Sequence, residues 1–201
     1  MRNLINTLAI VFVIGMAISC KKDKTTNVNF ENPVQAASKN TTLLDSTRNY
    51  PGFDFYEIGT KIYFSKAGKV TKLGCRSGNT GNFVVSFWDF ESSALLAQTT
   101  VNVTDKTKYF YSAITPIEIV PTKRYIISLN NNNAGVPADY WVCYKKEANP
   151  DGIDFNIYPF NIGSVTFEAP YGKTSATAVF PSNPLSPWNF LAGADVQFEY
   201  E

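Results

Sequence analysis

Carboxylates are the only side chains in this 201-residue sequence suited to general acid–base chemistry, because the chain contains no histidine. That absence rules out a Ser-His-Asp or Cys-His relay and any histidine-ligated metal. Glycoside hydrolysis needs two carboxyl groups about 5–10 Å apart. The candidates are Asp89, Glu91, Glu118, Asp139, Asp151 and Asp154. They fall at strand ends and in loops, where acidic residues are mostly just solvated, so no catalytic residue is assigned. Asn79, Asp89, Asp139, Asp151 and Asp154 could offer oxygens to a structural Ca²⁺, yet none of their spacings matches a calcium loop. No metal site and no cofactor is expected.

A second constellation suits binding rather than reaction. Asn130, Asn131 and Asn132 precede Asp139, Tyr140 and Trp141, and Trp188 stands apart in a Pro-containing stretch. Aromatic rings stack on the C–H faces of sugars, while Asn and Asp bond hydroxyl groups. Packing competes with this reading. Trp88 lies mid-strand and is expected in the core. Adjacent strand residues face opposite ways, so one of Tyr140 and Trp141 should be core and the other outward. Trp188 could equally pack in its own loop.

The three cysteines divide by position. Cys20 follows an apolar stretch, Leu8–Ile18, preceded by Arg2 and ended by Ser19, and it is followed by Lys21-Lys22-Asp23-Lys24. An apolar run of about 7–15 residues marks a secretory signal and is shorter than the ~20 needed to span a membrane. This is the layout of a bacterial lipoprotein signal, with residues 1–19 removed and Cys20 acylated. Stable anchoring takes more than one acyl chain. Lys21 after the cysteine, rather than Asp, points to the outer membrane, and the charged triplet resembles the export tag of surface lipoproteins in the Bacteroidota. The expected location is therefore lipid-anchored at the outer membrane, on the cell surface or on its periplasmic face. Cys75 and Cys143 fall on strands, either as a disulfide or as two buried thiols.

The elements that must position these residues are strands. Residues 20–49 are polar and read as a flexible tether, spanning on the order of 30 Å at about 5–6 Å × √n. Residues 50–201 form one domain, with 44% hydrophobic and 14% aromatic residues in the whole chain to supply a core. Apolar positions recur with period two: Val196, Phe198 and Tyr200; Ile62 and Phe64; Leu73 and Cys75; Tyr125, Ile127 and Leu129. Further strands are read at 82–90, 95–103, 109–120, 139–145, 164–168 and 176–180, separated by turn sequences such as Gly78-Asn79-Thr80-Gly81. The pattern predicts an all-β, antiparallel β-sandwich of jelly-roll type. A net charge of +1 without a basic cluster in the folded part argues against nucleic acid as a partner.

The order of several short motifs carries a resemblance. Glu57-Ile58-Gly59-Thr60-Lys61-Ile62-Tyr63-Phe64 is followed by Ala67-Gly68-Lys69-Val70, Asn79-Thr80-Gly81, Phe87-Trp88 and, near the end, Asp195-Val196-Gln197-Phe198. This resembles an extracellular bacterial β-sandwich domain of unknown function, with the pattern Leu-Gly-x-x-Phe, Gly-x-Ile-x-x-Ile-Arg-Phe-Tyr, Asn-Thr-Gly, Leu-Trp. The resemblance implies a jelly roll like those of carbohydrate-binding modules, and it brings no catalytic residues with it. Two departures stand out: Gly74-Cys75-Arg76 replaces Arg-Phe-Tyr, and Asn82-Phe83 stands where a His commonly follows Thr-Gly.

The expectation is a non-enzymatic lipoprotein module that binds glycan or another extracellular polymer. The alternatives are an adhesion or assembly protein docking a protein partner, and a carboxylate-dependent glycoside hydrolase.

Overall fold

The computed structural model describes residues 28–41, 44, 46–121, 123–144, 157–187 and 190–201. Cys20, Asp151, Asp154 and Trp188 lie outside them. The chain opens with β1 (Asn29–Glu31), α1 (Pro33–Ser38), β2 (Ser46–Tyr50), β3 (Tyr56–Phe64) and β4 (Gly68–Cys75). It continues through β5 (Gly81–Asp89), β6 (Leu95–Val103), β7 (Phe110–Ile119), β8 (Arg124–Asn130), β9 (Asn132–Asn133), β10 (Val136–Pro137) and β11 (Tyr140–Tyr144). It closes with β12 (Phe160–Ile162), β13 (Val165–Thr174), β14 (Asn183–Pro184), β15 (Phe190–Leu191) and β16 (Ala194–Tyr200).

The result is an all-β sandwich. A seven-stranded sheet runs β12-β13-β3-β8-β5-β6, with β14 on β13, and a four-stranded sheet runs β1-β16-β4-β7. A three-stranded sheet, β15-β11-β2, flanks them, and β9-β10 is a small hairpin. The hairpin turns through Ala134 and Gly135, both at positive φ (52° and 89°), as a two-residue turn matched to strand twist requires.

Period-two alternation explains the layering. Ile62 and Phe64 of β3, Tyr125, Ile127 and Leu129 of β8, and Phe83, Val85 and Phe87 of β5 are buried on one face. Leu73 and Cys75 of β4, with Val196 and Phe198 of β16, meet them from the four-stranded sheet. Phe64 and Phe198 bridge the layers at 4.4 Å between ring centroids, and Phe87 stacks on Tyr125 at 5.1 Å. A second aromatic group, Phe160, Phe167 and Phe190, joins the three-stranded sheet to the same core.

The other face of the seven-stranded sheet is covered too. Residues 176–180, expected as a strand, instead lie as irregular chain across it. Phe180 meets the edge of Trp88, whose indole N–H donates to Ser128 Oγ at 2.8 Å. Trp88 is buried as expected, but beneath this segment rather than between the sheets.

Two further expectations change. Elements of the fold are already present ahead of residue 50: β1 pairs with β16, β2 pairs with β11, and α1 buries Val34 and Ala37. The apolar residues of the supposed tether are few, but the body of the protein supplies their partners. The Asp195 carboxylate accepts the N–H groups of Val34 (2.9 Å) and Gln35 (3.0 Å), capping α1 from 161 and 160 residues away. Tyr111 Oη also donates to it at 2.7 Å. The second change concerns Cys75 and Cys143, which are buried thiols and form no disulfide. Cys75 belongs to the four-stranded sheet and Cys143 to the three-stranded one, each packed as a small apolar group.

Asp195→Ala strands buried N–H donors and removes the cap. It is expected to lower unfolding free energy by about 2–4 kcal/mol in a urea titration. A midpoint equal to that of the parent would mean that other contacts hold α1.

Candidate functional site

The strongest candidate site is a half-open cleft of about 370 Å³ between one end of the seven-stranded sheet and the three-stranded sheet. From β3 it receives Tyr56 and Ile58, and from β13 Pro170, Gly172 and Thr174. Across from them stand Tyr50 of β2, Tyr140 and Val142 of β11, and Leu191 of β15. Leu185, Asn183 and Ser186 close one side. The register puts these residues together. Pro170, Gly172 and Thr174 oppose Thr60, Ile58 and Tyr56, and Tyr140 opposes Tyr50, so each set shares a face. Gly172 packs closely against Leu185: a Cβ there would come within 2.9 Å of Leu185 Cδ1, the end of an exposed side chain that can shift.

The floor is apolar. Ile58, Val142 and Leu191 form a buried cluster separate from the main core, with Tyr56, Tyr140 and Tyr144 packed against it. Tyr50 stacks on Tyr140 at 6.1 Å and lies 6.2 Å from Tyr144. Burial, helped by the neighbouring Tyr56 and Tyr50, raises the Tyr140 hydroxyl above its ordinary pKa. Burial likewise raises Tyr144, with a contribution from Tyr50. These hydroxyls stay neutral at physiological pH and can donate or accept hydrogen bonds, but they are poor bases. No Asp or Glu is among the described residues lining the cleft. Flat aromatic walls, an apolar floor and a few polar groups are features common to small-ligand sites.

The structure separates the residues expected to bind. Tyr140 is in the cleft. Trp141, its neighbour, turns the other way, packs against the main core and lies under the Arg76 guanidinium at 3.6 Å. The asparagine run is engaged in the fold, and Asn130 and Asn132 also line a separate, more open depression away from the cleft. Asn131 is 1% exposed; its Oδ1 accepts Tyr56 N–H at 2.6 Å, and its Nδ2 donates to the carbonyls of Asp54 and Ala138 at 3.0 and 3.1 Å. Asn130 donates to Ser175 O at 3.2 Å and Asn132 to Ala176 O at 2.7 Å. Asp139 accepts from Asn49 Nδ2 (2.9 Å) and Gly52 N–H (3.1 Å). These side chains act as backbone partners for loops that have no strand to pair with.

The cleft also contains residues the sequence reading passed over. Tyr50 sat at the edge of the supposed tether. Tyr56 and Ile58 precede Ile62 and Phe64 at even spacing, and that alternation could have extended the inward face back to Tyr56. Among the carboxylates, Asp89 is ion-paired with Lys123, which lowers its pKa, and Glu118 pairs with Lys69 at 3.0 Å. Glu57, outside the set of candidate carboxylates, is fully buried on the opposite face of β3 from the cleft. Ser128 Oγ donates to it, and burial pushes its pKa up to about 7 against the weaker pull of Ser128, Asn130 and the Val179 backbone. No group of carboxylates and cysteines able to hold a metal ion occurs among the described residues.

Comparison with models of known protein families and with curated protein sequences finds no match for the chain.

Asn131→Ala leaves the buried Tyr56 N–H unpaired and frees two carbonyls. It is expected to cost about 2–4 kcal/mol in chemical denaturation, where a surface asparagine would cost almost nothing. Glu57 gives a pH signature. Its carboxyl holds a proton more tightly folded than unfolded, so its contribution is fully present below about pH 4.5 and is lost as pH rises through about 7. Stability should fall across that window by up to about 3 kcal/mol, each tenfold change in proton affinity being worth about 1.4 kcal/mol. Glu57→Gln should flatten this limb. An unchanged profile in that variant would assign the slope to another group, such as Asp195, which burial raises to about 6.

Proposed function

We propose that this protein is a non-catalytic, lipid-anchored surface module that holds a glycan, or a similar extracellular polymer, in the tyrosine-walled cleft. The observation that carries the reading is the cleft itself: Tyr50, Tyr56 and Tyr140 stand over a floor of Ile58, Val142 and Leu191, with no carboxylate among its described lining residues. Sugars present alternating C–H faces and hydroxyls, and tyrosine matches both with one side chain. The volume lies near the lower end of the ~300–1,000 Å³ usual for small-ligand sites, which fits one or two sugar rings of a longer chain.

The remainder of the reading is consistent with this site. A jelly-roll-like sandwich would present the cleft as a rigid scaffold, and acylation of Cys20 would hold it at the outer membrane. No helix among the described residues is long and apolar enough to cross a membrane. Asn130, Asn131 and Asn132 are engaged in hydrogen bonds to loops, which supports recognition through the tyrosines and the cleft-edge groups Thr174, Asn183 and Ser186.

A glycan-array screen of the chain from Lys21 onward, which keeps every described residue, tests the proposal. A hit should weaken at least tenfold in Tyr140→Ala while the melting temperature stays within a few degrees. A folded protein that binds no glycan would move the cleft to the protein-partner reading.

A further inference from the structure

The tyrosine face extends beyond the cleft and ends in a cation. In the β11–β2 register, Tyr140 opposes Tyr50 and Val142 opposes Arg48. Residues two apart on a strand share a face, as do residues directly opposed. Tyr140, Val142 and Tyr144 of β11 and Tyr50 and Arg48 of β2 therefore lie on one surface, continuous with the cleft wall. Tyr140 and Tyr144 are four residues apart, which at about 3.3 Å per residue is roughly 13 Å of strand. Tyr50 sits between them, 6.1 Å from one ring and 6.2 Å from the other. The Arg48 guanidinium lies 5.8 Å from the Tyr144 ring centroid.

Arg48 is exposed, and no described carboxylate lies within ion-pair distance of it. Two other cations that lie over tyrosine or phenylalanine rings on strand faces, Lys61 and Arg124, are both neutralised by Glu168, at 3.0 and 3.4 Å. Arg48, like Lys66 over Tyr200 at 4.0 Å and Arg76 over Trp141 at 3.6 Å, has a ring but no described anion, and what sets it apart is its place on the face that continues the cleft wall. A guanidinium held over an aromatic face, with no ion pair among the described residues, matches a planar carboxylate that can take two parallel N–H···O bonds. The neighbouring tyrosines supply stacking surface for the rest of the ring that bears it.

We propose that the cleft and its tyrosine extension bind a linear acidic glycan, with one sugar ring in the cleft against Tyr140 and a carboxylate-bearing ring, a uronate, at Tyr144 and Arg48. This rests on the reading of the cleft as a glycan site and adds its charge class and its length. The roughly 13 Å run accommodates two to three pyranose units, so affinity should rise with chain length to about three units and then level off. The cleft end is mainly apolar but has Lys173 in its lining, and the extension ends in Arg48, so both cations favour an acidic chain and Arg48 places a carboxylate at Tyr144.

The test is calorimetric titration of the chain from Lys21 with four ligands: the tetramer of galacturonate, its full methyl ester, a neutral galactose tetramer and a sulfated one. The acidic tetramer should bind at least tenfold tighter than its methyl ester, and the gap should shrink with added salt. Arg48→Gln should close most of the gap, and Tyr140→Ala should weaken all binders. Equal binding of sulfated and carboxylated tetramers would overturn the carboxylate assignment. Equal binding of the acid and its ester, or an Arg48→Gln variant with the gap intact, would overturn the acidic subsite and leave the cleft as a neutral glycan site. Absence of binding by every tetramer, with the protein folded, would overturn both readings.

Discussion

The inward face of β3 and β8 is longer than any single sheet that covers it. Along β3 the buried positions run from Ile58 to Phe64, and β8 adds Tyr125, Ile127 and Leu129. The four-stranded sheet closes over the Ile62–Phe64 end, where Phe198 meets Phe64. Burying a phenylalanine is worth about 1.5–3 kcal/mol, so this end closes tightly. At the Ile58 end the cover changes to the small sheet of β15, β11 and β2. Its Trp141, Cys143 and Phe190 reach the main core, while its Val142 and Leu191 form a separate cluster with Ile58. The cleft is the gap left where one cover gives way to another.

A gap of that kind persists only if its walls are held by something other than apolar packing. The asparagine run at the end of β8 does this. Asn130 and Asn132 fix residues 175 and 176, Asn131 fixes residues 54, 56 and 138, and Asn133 Nδ2 donates to Thr80 O at 3.0 Å. Four consecutive side chains thus supply donors to loops from separate parts of the chain. Each hydrogen bond is worth about 1 kcal/mol net, but leaving one of these buried groups unpaired costs more. Tyr56 and Tyr140, whose strands these loops join, are positioned as a consequence.

Much of the sandwich was legible because alternation is a direct image of a two-faced sheet. The faces Val196/Phe198, Tyr125/Ile127/Leu129 and Ile62/Phe64 follow from the alternation and are buried as sets, with Tyr200 partly buried at the end of the first. What escaped was long-range. Residues 28–50 look polar enough to stay extended, and only the distant Asp195 and the edge of β16 show why α1 and β1 are ordered. Residues 176–180 carry strand-like composition but face a sheet that already has its neighbours, so they lie across it. The asparagines were the hardest case, because an amide side chain has the same donor and acceptor whether it meets a sugar hydroxyl or a peptide group.

That ambiguity also decides where specificity can reside. A ligand could recruit Asn131 only by taking it from Tyr56 N–H and from the Asp54 and Ala138 carbonyls, at a cost of several buried hydrogen bonds. The tyrosines carry no such commitment. Tyr50 and Tyr140 offer ring faces already stacked on one another and a floor already dry, so a ligand displaces water rather than structure. In the proposed reading, recognition would therefore fall to the groups that packing leaves unfinished, while buried polar residues such as Asn131 belong to the scaffold.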